Sequence, residues 1–388
     1  MRVQRVREDG YSTVTFDLLD DADRPVPAVA GFMRHLRARG YSPNTLSAYA
    51  HDLLHFTHFL HQYALTYDDF TPVTSLTFLE YLRQVPNRTL ARRLTPVLVT
   101  VADGQPARRL APATINRVFA AVSSFYEYLI ISGCLKDTDN PIQMVDNPSG
   151  ARVSGRHRPA LGRASRQRPI RRVIQVKTVQ RLPRPLDDDH IVPLLASLRR
   201  ERDRAMLLLM LQGGLRPGEV LALQLEDIQY GRRRIIVRYR TDHPKGVRTK
   251  SRQERVVDLH EPEALAAVSA YVMRERPTDA DSPFVFLVGG HGTRRSEPLG
   301  YQALVKLFSR HCDRLGIRAP WVTPHALRHT HATRLWEGGM RELALQKRLG
   351  HASPDSTRLY TRVADAMVVA EYRQALGLRG ETEPLSGP

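Results

Sequence analysis

The sequence contains few of the features that would place the chain in a membrane or outside the cell. Only two of its 388 residues are cysteines, Cys134 and Cys312, and they lie far apart. Neither a disulfide framework nor a cysteine zinc site is expected from so few. No apolar run approaches the ~20 residues that span a bilayer, and the segment MRVQRVREDG has no apolar signal core. We therefore expect no membrane association and a cytoplasmic location.

Acidic residues are scarce relative to basic ones. The chain has 58 Lys and Arg against 40 Asp and Glu, which gives a formal net charge of +18. A compact protein with this charge either repels itself or binds a polyanion. Nucleic acid is the usual polyanion, and a charged membrane surface is the second possibility. The charge thus predicts a class of partner but no chemistry.

The first third of the chain carries helical patterns. Leu46, Leu53 and Leu60 belong to an apolar stripe that begins just after Ser42, a helix N-cap residue, and Pro43. Three similar patterns flank this one, and we attribute their aromatic stripes to core packing. They predict a helical domain over residues 26–143, after an N-terminal extension of residues 1–25. Within that extension, YSTVTFDLLDD predicts a short strand.

Residues 144–184 are predicted to form a basic linker. Between positions 151 and 184 the sequence has ten arginines, one lysine and no acidic residue. Its few apolar residues do not predict a core. The segment is either a solvated tether or a strand of positive charge that lies along phosphate. Arginine at nearly every third position favours contact with phosphate.

A second domain is predicted over residues 185–377, followed by a disordered tail of residues 378–388. The segments RRRIIVRYR (232–240) and ERVVDL (254–259) read as two strands of a small sheet. The fold class is therefore mainly α with a small antiparallel β-sheet. Predicted helices cover residues 188–211, 262–276, 299–315, 325–337 and 341–348, and a last one covers ADAMVVAEYRQAL.

Four segments of the second domain carry side chains that are suited to phosphate chemistry. Taken singly, an arginine near a helix start is most often a surface charge or the partner of a carboxylate, and Glu219 is placed to pair with Arg216. A turn lysine is usually solvated, and a single tyrosine usually packs or faces water. The segments are GGLRPGEVLALQ with Arg216 and Glu219, TDHPKGVRTKSRQERVV with Lys250, TPHALRHTHAT with His325 and Arg328, and LGHASPDSTRLYT with His351 and Tyr360.

Together these side chains match the cleavage of a phosphodiester without a metal ion. Arginine binds phosphate oxygens bidentately and stays charged, so it can neutralise the charge of a pentavalent transition state. A tyrosine phenol becomes a nucleophile once a base removes its proton, and the departing 5′-oxygen needs a general acid. His325, His329 and His331 have no carboxylate or cysteine among them, so we expect no metal site and no cofactor.

At these residues the sequence resembles the tyrosine recombinases, or phage-integrase family of site-specific recombinases. The resemblance rests on LRPGE, TKSRQERVV, HALRH and LGHASPDSTRLY, in that order. SPNTLSAYAHDLLHF and ATINRVFAAVSSFYEYL are similar to the family's helical core-binding domain. The resemblance covers residues 26–377 and implies the family's fold, a core-binding domain followed by a catalytic domain.

The resemblance also implies a role for each residue. Tyr360 would attack the scissile phosphate and form a 3′-phosphotyrosyl bond. Arg216 and Arg328 would bind the phosphate oxygens, with Glu219 in the acidic supporting position. The other implied roles are a hydrogen bond to the phosphate from His351, proton removal from the phenol by His325, and protonation of the leaving oxygen by Lys250. Lys245 lies in the same turn, and alignment with the family alone favours Lys250.

The implied partner is double-stranded DNA with specific recombination sites. The last helix either caps its own domain or docks into a neighbouring subunit, which would build a homotetramer on two duplexes. Residues 1–25 are too few for a separate arm-binding domain, so simple recombinases and transposon-borne enzymes are the better match. Two alternatives remain: a topoisomerase of type IB that relaxes DNA as a monomer, and a DNA-binding factor without catalysis.

Overall fold

The computed structural model describes residues 1–7, 14–86, 109–136, 138–146, 170–178, 184–249 and 254–350. The chain divides into two compact units, Met1–Gln180 and Arg181–Pro388. Within the described ranges, no helix combines the length and the apolar content needed to cross a bilayer. The elements of the first unit are β1 (Arg2–Arg7), β2 (Val14–Leu19), α1 (Pro27–Ala38), α2 (Pro43–Gln62), α3 (Pro72–Gln84), α4 (Pro112–Ile131), β3 (Met144–Asp146) and β4 (Ile170–Arg172).

α2 begins at Pro43 after the Ser42 cap, as predicted, and is one of four helices described in the first unit. Each has a proline at its first position, where the missing N–H leaves no bond unmade. Ser42 caps α2 by accepting a hydrogen bond of 3.2 Å from the Thr45 amide, and Thr71 caps α3 in the same way. The helices enclose an apolar core rich in aromatic rings, which include Phe32, Phe56, Phe59, Phe70, Phe78, Phe119 and Phe125.

The predicted strand in the N-terminal extension is confirmed as β2. It pairs antiparallel with β1, from Arg2 opposite Leu19 to Arg7 opposite Val14. β1 was not predicted, because the two valines of RVQRVR are three residues apart and do not alternate with polar residues as in a half-buried strand. Leu18 of β2 is buried in the helical core, so the extension is part of the first unit.

Where it is described, the basic segment differs from a tether without structure. β3 and β4 pair antiparallel, with Met144 opposite Arg172. Beyond β4, the side-chain amide of Asn116 makes two hydrogen bonds of 2.9 Å with the backbone of Val176, one to its N–H and one to its carbonyl. Ile174 packs against the aromatic core. These contacts tie part of the segment to the first unit.

The second unit is mainly helical around a small sheet. The strands run in the antiparallel order β5-β6-β7. Every residue of α6 from Ala205 to Leu211 is buried, and the helix packs against α8 and α10. The elements are α5 (Asp188–Ala196), α6 (Glu201–Leu211), α7 (Pro217–Leu221), β5 (Ile228–Gln229), β6 (Arg234–Val237), β7 (Arg255–Asp258), α8 (Pro262–Arg274), α9 (Tyr301–Arg314), α10 (Pro324–Glu337) and α11 (Glu342–Leu349).

The helix expected over residues 188–211 is two helices, α5 and α6. Arg200 is extended at the start of α6, which then carries Glu201 and Asp203 in its first turn, where acidic side chains favour a helix start. At the end of α5 the Ser197 hydroxyl donates a hydrogen bond of 2.7 Å to the Leu194 carbonyl. The continuous apolar pattern of the sequence does not reveal this change of direction.

Candidate functional site

A buried carboxylate, that of Glu219, lies at the centre of the candidate site. Arg216 is the extended residue before α7, and its N–H donates a hydrogen bond of 2.8 Å to Glu219 Oε2. The glutamate three residues into the helix thus caps the helix start, as the LRPGE spacing favours. Glu219 is only 1% exposed. An isolated carboxylate would not stay ionised at such a position, so its surroundings must supply positive charge.

Three guanidinium groups, from three different elements, supply that charge. Arg216 Nη1 lies 2.7 Å from Glu219 Oε1. Arg255, at the start of β7, binds both carboxylate oxygens, at 3.0 Å from Nη1 and 2.7 Å from Nη2. Arg328 of α10 adds a longer contact, with Nη1 3.7 Å from Oε2. The fold thereby gathers residues that are far apart in sequence around one carboxylate.

The arginines decide the protonation state of Glu219. Burial alone would raise the pKa of this carboxyl, but the hydrogen bonds and charge of Arg255, followed by the charges of Arg328 and Arg216, lower it to about 2. Glu219 is therefore a carboxylate at neutral pH. It holds the guanidinium groups of Arg216 and Arg328 close together, which is the arrangement needed to bind one phosphate from two sides.

The same arginines also hold the end of α11. Arg216 Nη2 donates a hydrogen bond of 3.1 Å to the Gly350 carbonyl, and Arg328 Nη2 donates one of 2.6 Å to the Leu349 carbonyl. Gly350 ends the helix with φ +64°, a conformation that glycine adopts without strain. Gly350 directly precedes His351, so the described chain reaches the arginine cluster at the residue before this predicted site residue.

α10 contributes histidines as well as Arg328. His325 lies one turn before Arg328, so both project from one face of the helix. Burial, assisted by the nearby His325 and Arg328, lowers the pKa of His329 to about 4. His329 is therefore neutral at neutral pH.

His331 has a structural partner on each ring nitrogen. Arg348 Nε donates to His331 Nε2 at 3.1 Å, so the other nitrogen, Nδ1, carries the proton and donates to the Leu211 carbonyl at 2.9 Å. Burial and then the charge of Arg348 lower the pKa of His331 to about 3. Across the described residues, no three His, Cys, Asp or Glu side chains gather closely enough to hold a metal ion.

The long connection between β6 and β7 contains both candidate lysines. Lys245 Nζ forms an ion pair of 3.0 Å with Glu297 Oε2. Farther along, the Arg240 N–H donates a hydrogen bond of 2.9 Å to the buried Thr249 hydroxyl, which fixes the residue before Lys250. Lys250 itself lies outside the described residues. The ion pair accounts for Lys245.

The structure brings together three of the predicted site residues, Arg216, Glu219 and Arg328, and places His325 on the same helix face as Arg328. Lys250, His351 and Tyr360 lie outside the described residues. Sequence reasoning missed Arg255. A signal was present, because Arg255 and Val257 are two residues apart in β7. Their side chains therefore lie on the same face of the strand, the face on which Val257 is buried.

Comparison with known proteins gives the family of the chain. Residues 184–367 match the Phage integrase family, and residues 29–99 match the Phage integrase N-terminal SAM-like domain. The chain is 28% identical over 378 residues to Transposase A from transposon Tn554 of Staphylococcus aureus, which covers 97% of this chain and 98% of the relative. It is 30% identical over 348 residues to Tyrosine recombinase XerC of Chromohalobacter salexigens, which covers 90% and 95%.

Solved structures share the fold. The Tn1549 transposon integrase in complex with transposon right end DNA matches with a TM-score of 0.58 and 18% identity, over 90% of this chain and 99% of that chain. The XerH recombinase bound to its difH substrate matches with a TM-score of 0.57 and 17% identity, over 87% and 81%. The mainly helical fold with small antiparallel sheets is that of these recombinases. The chain belongs to the phage integrase family of tyrosine recombinases, and its function is site-specific recombination.

Proposed function

We propose that this recombinase cleaves and rejoins double-stranded DNA through a 3′-phosphotyrosyl bond to Tyr360. The observation that carries the proposal is the convergence of Arg216 and Arg328 on Glu219, directly beside the backbone that leads into His351. Two guanidinium groups that are held together by one buried carboxylate can bind two oxygens of the same phosphate.

The proposed reaction is a transesterification. The Tyr360 phenol loses its proton to His325 and attacks the scissile phosphorus, so a bond from Tyr360 Oη to phosphorus forms. The bond from phosphorus to the 5′-oxygen breaks, and Lys250 gives that oxygen a proton. The reverse reaction uses the 5′-hydroxyl of another strand as nucleophile. Since the phosphotyrosyl ester keeps the energy of the broken bond, no ATP is required.

The arginines carry most of the electrostatic stabilisation. Arg216, Arg328 and a hydrogen bond from His351 would neutralise the charge that develops on the phosphate oxygens, a role that Mg²⁺ plays in other phosphoryl-transfer sites. The buried Glu219 keeps the arginines in place before DNA arrives. Such preorganised donors contribute ~3–4 kcal/mol each to the transition state.

We propose DNA as the partner of both units. The net charge of +18 and the ten arginines of residues 151–184 support this, and so do the titles of related structures, which describe DNA complexes. In this proposal residues 26–143 bind the core site, residues 144–184 follow phosphate, and residues 185–377 cleave. Because a recombinase works on DNA, we keep the cytoplasm as its expected location.

A homotetramer on two duplexes is the proposed working assembly. Strand exchange requires four cleavages on two duplexes, and Val368, Val369, Tyr372 and Leu376 give the last predicted helix an apolar stripe for docking into a neighbour. Light scattering of the chain on its paired sites is expected to give the mass of four copies. A variant truncated after residue 363 is expected to cleave without assembling beyond a dimer.

The test of the proposed chemistry is a suicide-substrate assay in EDTA. Nicked duplexes from the ends of the element that carries the gene lose a short fragment on cleavage, which traps the covalent complex. We expect a protein–DNA adduct on denaturing gels. Tyr360→Phe is expected to abolish it, and Tyr372→Phe, a matched control that keeps Tyr360, is expected to retain it.

The controls separate binding from chemistry. Tyr360→Phe is expected to bind the same duplex with unchanged affinity in a gel-shift assay. Binding by the wild-type chain without any adduct, on a duplex that supports recombination in cells, would contradict the proposed mechanism. An adduct that persists in Tyr360→Phe would assign the nucleophile to another residue.

A further inference from the structure

Arg255 is the buried cation of the site that none of the implied roles uses. Its side chain is 7% exposed, and it makes a two-oxygen contact with Glu219, as described above. Its third nitrogen, Nε, donates a hydrogen bond of 2.9 Å to the Arg348 carbonyl, 93 residues farther along the chain. One guanidinium therefore joins the buried carboxylate of α7 to the last turn of α11.

Gly350 lies directly against the same guanidinium. A Cβ atom built on Gly350 would lie 2.8 Å from Arg255 Nη1, 3.1 Å from Cδ and 3.2 Å from Cζ. Any side chain at position 350 would therefore push against Arg255. Because Gly350 precedes His351, Arg255 is packed against the main chain at the point where it enters the predicted histidine-to-tyrosine segment.

We propose that Arg255 is a positioning residue for DNA cleavage, one that orients Glu219 toward Arg216 and Arg328 and fixes the backbone leading into His351. This inference rests on the proposed function of the site. Arg255 need not touch DNA, since its three nitrogens are directed at Glu219 and the Arg348 carbonyl. It would act through the groups that do touch the phosphate.

The geometry requires an arginine at this position. The planar fork presents two parallel donors to the carboxylate and a third to the side, which matches the positions of Glu219 and the Arg348 carbonyl. A lysine would supply one charged nitrogen and could satisfy only one of the two. Arg255→Lys should therefore keep the charge of the site while losing the link between α7 and α11.

The positive charge of Arg255 has a second effect, on the pKa of Glu219, which can be measured separately. The charged groups that face Glu219 are Arg216 before α7, Arg255 from β7 and Arg328 from α10. Arg255 does most to keep the pKa of Glu219 low, against the effect of burial. Without Arg255, Glu219 would take up a proton at a higher pH than in the wild type. A neutral Glu219 holds the other two arginines less firmly.

The experiment compares Arg255→Lys and Arg255→Met with Arg234→Met. Arg234 is a matched control, because it belongs to the same sheet and pairs with Asp258 at 3.0 Å, away from Glu219. The rate of adduct formation on the nicked duplex is measured under single-turnover conditions from pH 5 to 9. Affinity for DNA is measured separately for each substitution combined with Tyr360→Phe.

We expect the rate to fall ~10-fold in Arg255→Lys and ~100-fold in Arg255→Met, the loss typical of misplaced catalytic groups. DNA affinity should stay within about 3-fold, because Arg255 contacts other protein groups. Only Arg255→Met should lose activity at a higher pH than the wild type on the acid side. Arg234→Met should match the wild type in rate and pH profile.

Gly350→Ala disturbs the same contact from the opposite side, and it also places alanine at φ +64°, where it is strained. It should lower the rate as Arg255→Lys does, and the two changes together should lower it little further, because both disturb one contact. If the double variant lost rate by the product of the two single losses, the inference would be overturned. A wild-type rate and pH profile in Arg255→Met would also overturn it, and so would loss of folding in both Arg255 variants, which would make the residue purely structural. A wild-type chain without adduct would instead reject the proposed function.

Discussion

The two units treat a buried carboxylate in opposite ways. In the first, Asp52 is paired with one arginine, Arg117, at 2.8 and 2.9 Å, and burial still raises its pKa above the usual range. In the second, Glu219 is just as buried, but three arginines lower its pKa to about 2. One arginine does not offset the cost of burying a carboxylate, whereas three arginines more than offset it.

Buried charge distinguishes the two units, and the proposed site lies in the second. The described core of the first unit consists of aromatic rings and aliphatic side chains, which need only shape and apolar area, and Asp52 is the charged residue buried among its described residues. The described part of the second unit buries Arg202, Asp203, Asp227 and Arg328 in addition to Glu219. Arg202 and Asp203 pair with each other, and Asp227 pairs with Arg240, whereas Arg328 and Glu219 belong to the cluster proposed to bind phosphate.

Neutralising the buried carboxylate of each unit in turn should change the free energy of unfolding very differently in the two units, and the change at Glu219 is the largest effect that we expect. Glu219→Gln leaves the buried Arg255 and Arg328 without their anion, so we expect a loss of ~3–5 kcal/mol in the free energy of unfolding of the second unit. Asp52→Asn should cost only ~1 kcal/mol in the first unit, because the Arg117 side chain is 49% exposed and can turn to water.

Tryptophan fluorescence measures the second unit alone. The two tryptophans of the chain, Trp321 and Trp336, both belong to it. Urea unfolding followed by this signal should shift strongly in Glu219→Gln and remain unchanged in Asp52→Asn. Hydrogen exchange of α2 amides reports on the first unit, so it should become faster in Asp52→Asn and remain unchanged in Glu219→Gln. Equal losses for both substitutions would contradict the view that the units handle buried charge differently.

Acid should affect the second unit more than the first. Burial lowers the pKa of His243 and His329 to about 4 and that of His331 to about 3, all below the value of about 6.5 expected in the unfolded chain. The unfolded state therefore binds protons first as the pH falls, so the stability that these histidines contribute is present above pH 6.5 and is lost toward pH 4. Glu219 adds a loss between pH 4.5 and about 2.

In the first unit, the effects of two buried groups on the pH dependence of stability partly cancel. The raised pKa of Asp52 makes the folded state bind its proton more readily, which favours folding as the pH falls, whereas the lowered pKa of His55 acts in the opposite direction. For the second unit, urea unfolding followed by tryptophan fluorescence should show a loss of several kcal/mol between pH 7 and pH 5 at constant ionic strength, because each of its three buried histidines costs about 2 kcal/mol over this range. A constant value over this range would show that these histidines are not buried as neutral groups.

Local patterns in the sequence predicted the parts of the site that depend on near neighbours. The LRPGE spacing predicted the pairing of Arg216 with Glu219, which the structure confirms at 2.7 Å. The HALRH spacing predicted that His325 and Arg328 share a helix face, because residues three apart are neighbours on any α-helix. Ser42 and Pro43 likewise predicted where α2 begins.

The remainder depends on contacts between distant residues, which a single sequence does not reveal. Arg255 meets Glu219 across 36 positions, and Arg216 reaches the Gly350 carbonyl across 134. Asn116 binds the backbone of Val176 within a segment whose composition predicts no structure. In each case the partner is a backbone carbonyl or a charge supplied by another element, and composition and periodicity carry no information about it.

The last comparison concerns charges outside the Glu219 cluster and distinguishes the two candidate lysines, of which Lys245 should have the smallest effect of all. Lys245 and Glu297 form a partly exposed ion pair, so Lys245→Ala should cost less than ~1 kcal/mol in stability and leave the adduct rate within about 2-fold. Lys250→Ala should lower that rate by ~10²–10⁴, the contribution of a general acid. A substrate with sulfur in place of the leaving 5′-oxygen needs no proton, and it should restore the rate of Lys250→Ala alone. If that substrate restored Lys245→Ala instead, the acid would be the lysine that the structure pairs with Glu297, and the ion pair would have to open when DNA binds.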